Sequence, residues 1–75
     1  MSDALLVQLR DITKRWTAHE DIPKSQQYEC RKIGVELNAA GGLRLMQEAY
    51  YDAKASNPAA ATVQAYWDGV GDWRW

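Results

Sequence analysis

Seventy-five residues, 47% of them hydrophobic, with four Trp, four Tyr and no Phe, set the composition of one small globular domain spanning 1–75. Nine Lys/Arg against ten Asp/Glu leave a net charge of −1, so the concentrated positive field on which nucleic-acid binding depends is missing. A single cysteine, Cys30, excludes an intrachain disulfide and fits a reducing compartment. No apolar run reaches the roughly 18 residues of a membrane span, and the N-terminus lacks the pattern of a secretory signal. The expected setting is the cytoplasm.

The first helix is expected over about 3–18, opening at Ser2 as N-cap with Asp3 in the first turn. Leu5, Leu9, Ile12 and Trp16 recur at helical spacing and fall within an arc of roughly 60°, a narrow packing seam. The linker 18–22 then leads to Pro23, suited to the first turn of a second helix over about 23–40, with Asp21 or Ile22 at its cap. Cys30, Ile33, Gly34 and Leu37 form its inner face. Gly34 costs roughly 1 kcal/mol relative to Ala at mid-helix, which a closely approaching neighbour would explain.

Gly41-Gly42 ends this helix and implies a hairpin, because glycine takes the left-handed cap conformation without steric cost. The third helix is expected over about 43–56, with Leu43, Met46, Ala49, Tyr50 and Ala53 as a broad apolar stripe. Asn57-Pro58 pairs a good N-cap with proline at the first helical position. A short fourth helix over about 58–67 follows, with Ala59, Val63, Tyr66 and Trp67 inward. The tail 68–75, with Gly69 and Gly71, is expected to be irregular. The fold class is therefore all-α: a compact bundle of three main helices plus a short fourth helix and an irregular Trp-rich C-terminal tail.

Groups able to do chemistry are few. His19, the only histidine, falls in a charged linker, and Cys30 shares its helical face with core residues. One His and one Cys build no zinc site within one chain. Asp68-Gly-Val-Gly-Asp72 lacks the ligand series and distal Glu of a calcium loop. A hairpin reader of DNA would present only Arg44 and Gln47, with Glu48 and Asp52 repelling the phosphates. Enzyme activity would require Glu36, Glu48, Asp52 or His19 to converge across subunits. No enzyme, cofactor or metal is therefore expected.

The surplus lies in the aromatics. Tyr66, Trp67, Trp73 and Trp75 crowd the C-terminal end, and Trp and Tyr dominate interface hot spots. Opposite the core face of the second helix stand Tyr28 and Val35, flanked by Lys24, Arg31 and Lys32. The expected function is a non-catalytic interaction or accessory module, with Trp75, Trp73, Tyr28 and Val35 contacting a protein partner or a second copy, a dimer included. Nucleic acid and membrane are not expected partners. The alternative is a small-ligand domain whose aromatics line a cleft with the tail as one wall. Against the contact reading stands a simpler one, in which Trp73 folds back and seals the core.

Ile33-Gly34, Asn38, Gly41-Gly42, Met46, Tyr50 and the run Trp67-Asp-Gly-Val-Gly-Asp-Trp73 resemble a group of small bacterial helical proteins. These share a Gly-Gly-x-x-x-Met hairpin and a terminal Trp-Asp-Gly-x-Gly-x-Trp signature. The resemblance covers roughly the last forty-five residues. It implies a bacterial setting and a structural role for the glycines and the Trp-rich end, and carries no activity with it.

Overall fold

The computed structural model describes residues 3–17 and 21–74. Helix α1 spans Asp3–Thr13, α2 spans Lys24–Ser56, a 3-10 turn covers Pro58–Thr62, and α3 spans Val63–Trp67. Among the described residues there is no strand.

Helix α2 is two arms. A straight helix of 33 residues would be about 50 Å long at 1.5 Å per residue, yet the longest dimension of the molecule is 31 Å. The chain turns back at Gly42, whose φ of 68° and ψ of −160° lie where only glycine is at ease. The hairpin joins arms 24–41 and 43–56. The first arm buries Cys30, Ile33, Gly34 and Leu37, and the second buries Met46, Ala49, Tyr50 and Ala53.

Helix α1 lies against both arms. Leu9 is fully buried, Leu5 and Gln8 meet Glu29, Lys32 and Ile33 of the first arm, and Arg10 grips Asp52 of the second. That grip is bidentate, with Nη2–Oδ1 at 3.0 Å and Nε–Oδ2 at 3.2 Å. The helix stops at Thr13 rather than continuing to 18. The Thr13 hydroxyl donates back to the Leu9 carbonyl at 3.0 Å, a bond that weakens a helix end slightly. The Asn57 amide then takes the carbonyls of Thr13 and Trp16 at 2.7 and 2.9 Å. Trp16 is buried all the same, outside the helix, and donates to Gln26. The cap expected at Ser2 lies outside the described residues.

The start of α2 also differs from expectation. Pro23 is the N-cap itself, with ψ of 143°, and its carbonyl accepts from Gln26 and Gln27. Asn57-Pro58 acts as its sequence suggests, Asn57 Oδ1 accepting from the Ala59 amide at 3.2 Å. The segment it opens is a 3-10 turn running into the five residues of α3. Trp67 from α3 is fully buried and donates to the Cys30 carbonyl at 2.7 Å. A sequence of turns follows, with Val70 N–H bonded to the Trp67 carbonyl and Trp73 N–H to that of Val70. This returns Trp73 to the core, 5% exposed.

Candidate functional site

The residues singled out from sequence separate into two environments. Trp73 stands edge-on to Trp67 at 5.1 Å and 88°, and to Tyr50 at 5.6 Å and 70°. Its Nε1 is buried with no hydrogen-bond acceptor. Packed in this way, Trp73 is a core residue and is withdrawn as an exposed contact. Trp75, like His19, lies outside the described residues. Tyr28 and Val35 face outward, 75% and 51% exposed.

Beside Tyr28 runs a groove of about 390 Å³ between the first arm of α2 and α3, lined by Lys24, Gln27, Tyr28, Arg31, Ala65 and Tyr66. Arg31 fixes its geometry. Nη1 donates to the carbonyls of Tyr66 and Asp68 at 2.8 and 3.2 Å, capping the end of α3 where unpaired carbonyls favour a cation. Gln27 is held by the Ile22 carbonyl at 2.7 Å. Tyr66 is edge-on to Trp16 at 6.0 Å. Burial foremost, with the nearby Asp21 carboxylate adding to it, raises its hydroxyl pKa. Tyr66 stood out in the sequence as part of the C-terminal aromatic cluster, but its place in this groove, like that of Ala65 and the Arg31 clamp, depends on where α3 docks.

A second cleft, about 210 Å³, lies between the second arm and the tail, with Tyr50, Tyr51, Gln64, Trp73 and Arg74 in its walls. Gln64 donates to the Tyr50 hydroxyl at 2.9 Å. The cleft falls below the roughly 300–1,000 Å³ usual for small-molecule sites.

Two of the groups considered for chemistry, Cys30 and Asp52, are engaged in packing or pairing. Burial pushes the Cys30 thiol up to about 12, against a smaller lowering by Trp67. A thiol so held is not a nucleophile at neutral pH. Asp52 is committed to Arg10, and Glu36 sits on the other arm in the cleft against α1. Gly69 and Gly71 turn the Asp68–Asp72 segment with φ of 87° and 56°. Among the described residues, no three His, Cys, Asp or Glu side chains lie together as a metal site. No helix among them is long and apolar enough to cross a membrane.

Comparison with protein families, with curated proteins and with solved structures gives no match.

Proposed function

We propose that this chain is a non-catalytic interaction module that receives a protein partner on the outer face of the first arm of α2. One observation carries the reading: a tyrosine that is 75% exposed stands beside a groove whose far wall, Tyr66, is aromatic too. Tyrosine at such a position supplies a large contact area with one polar handle. Behind it, the three main helices, the short fourth and the Trp-rich tail serve as a rigid support. A reducing, bacterial cytoplasmic setting accompanies the reading, resting on the lone thiol and on the terminal signature.

The test compares the native chain with Tyr28→Ala,Val35→Ala for oligomeric state and for proteins recovered from cell extract. Loss of a specific partner with an unchanged melting temperature supports the proposal. Unchanged assembly and unchanged recovery reject it.

A second reading, a small-ligand domain, draws on the aromatic walls of the cleft beside the tail. It is the weaker of the two because that cleft is small. A ligand-dependent rise in melting temperature abolished by Tyr51→Ala would favour it.

A further inference from the structure

We infer that the segment docking on α2 is an acidic, amphipathic stretch of another protein, an inference that rests on the interaction reading above. At 100° per residue, Arg31, Lys24, Val35 and Tyr28 fall within roughly 60° of one another on α2, with Lys32 at the edge of the same stripe. The apolar residues are thus interleaved with cations. The acids of this arm, Glu29 and Glu36, lie farther round and line the cleft against α1, where Lys32 stands with them, so the stripe's own cations are Lys24 and Arg31. The groove itself is lined by Lys24 and Arg31 and by no carboxylate, with Asp21 near enough to act on Tyr66 at its far wall. A chain of net charge −1 therefore carries a local positive stripe around its most exposed tyrosine.

Arg31 is held ready for an anion. Its two bonds to backbone carbonyls use Nη1, and a guanidinium carries further N–H donors on its remaining edge. Its position at the groove is set before any partner arrives, and a fixed fork suits a carboxylate. Tyr28 and Val35 supply the apolar contact, and carboxylates flanking an apolar residue on the partner would meet Lys24 and Arg31.

A second copy fits poorly. In a two-fold contact the same patch meets itself. An antiparallel pairing centred between Tyr28 and Val35 sets Arg31 of each copy against Lys32 of the other, a like-charge contact. Nucleic acid and anionic membrane need denser positive charge than Lys24 and Arg31 interrupted by Tyr28 and Val35.

The full chain is titrated, by amide NMR, with a short synthetic helix presenting Leu and Trp on one face and Glu on its flanks. A counterpart with Lys in place of Glu is run beside it. The Glu peptide is expected to move resonances around Lys24, Tyr28, Arg31 and Tyr66, and to weaken as salt rises. Lys24→Glu and Tyr28→Ala, both at exposed positions, are each expected to weaken it about tenfold or more with the melting temperature kept. Arg44→Glu, outside the stripe, is expected to leave it unchanged.

Equal binding of the Lys peptide on the same residues overturns the acidic assignment and leaves α2 as the contact face. Binding of neither peptide overturns it too, and the recovery experiment with Tyr28→Ala,Val35→Ala then decides the contact face separately. Equal affinity for a single-stranded oligonucleotide or phosphatidylserine vesicles at these residues likewise overturns it.

Discussion

Gly34 is the seat of Trp67. A Cβ added at Gly34 would lie 2.5 Å from Trp67 Nε1, the atom that donates to the Cys30 carbonyl four residues earlier on the same helix. Alanine here gains roughly 1 kcal/mol in helix propensity, but overpacking in a filled core costs about 1–3 kcal/mol and the indole bond is displaced as well. Gly34→Ala is therefore expected to lower the urea midpoint. A midpoint equal to or above that of the native chain would show that Trp67 does not sit against α2 in this way.

Two of the three core tryptophans, Trp67 and Trp73, differ in what their N–H groups do. Trp67 bonds the Cys30 carbonyl, whereas Trp73 has no acceptor. Both substitutions to Phe remove ring volume, but only Trp67→Phe also removes a hydrogen bond, worth about 0.5–1.5 kcal/mol. Denaturant unfolding is expected to rank Trp67→Phe as clearly the more damaging. The reverse order would place a partner on Trp73 that the structure does not contain.

Asn57 ties three pieces of chain together. Its amide nitrogen donates to Thr13 and Trp16, and its oxygen accepts from Ala59. Asn57→Ala is expected to cost about 1–3 kcal/mol. Asn57→Asp separates the roles: it keeps the cap acceptor but turns a carboxylate toward two carbonyls. It should be no better than alanine in thermal unfolding. Full stability of the Asp variant would reduce Asn57 to an N-cap alone.

Stability should fall at alkaline pH, and Cys30 gives the sign. Its pKa rises from 9.0 to about 12 on folding, so the folded chain keeps the thiol proton that the unfolded chain releases above pH 9. Unfolding is then favoured increasingly as pH climbs from about 9 to about 12, by up to about 1.4 kcal/mol per unit. Below the unfolded value this group adds no slope. Denaturant titrations at pH 7 and pH 10 are expected to differ less for Cys30→Ala than for the native chain. An equal difference would place the thiol in contact with solvent.

Much of the helical content was legible because its signals are local. Gly42 breaks α2, Asn57 caps the segment after it, and the inner faces of both arms follow the apolar spacing. The end of α1 was not legible. Its apolar series runs on to Trp16, but the helix stops where the Thr13 hydroxyl and the Asn57 amide take its carbonyls, and Asn57 is 44 residues away from Thr13. The candidate site divides in the same way. Tyr28 and Val35 were legible from α2 alone, since residues seven apart on a helix share a face. For Trp73 the sequence offered both a contact and a folded-back core residue; the structure takes the second, and its place against Tyr50 and Trp67 depends on turns set by Gly69 and Gly71. The bond between Arg31 and Tyr66 crosses 35 residues and leaves no local trace.

Trp67 and Trp73 close the core, which leaves the outer face of α2 as the proposed contact surface. Hydrogen exchange of the indole N–H groups tests this most directly. Trp67 and Trp73 are predicted to exchange only through global unfolding, at rates that follow the stability of the chain. Rapid exchange at Trp73 with Trp67 still protected would contradict the account, detach the tail from the core and return Trp73 to the contact surface.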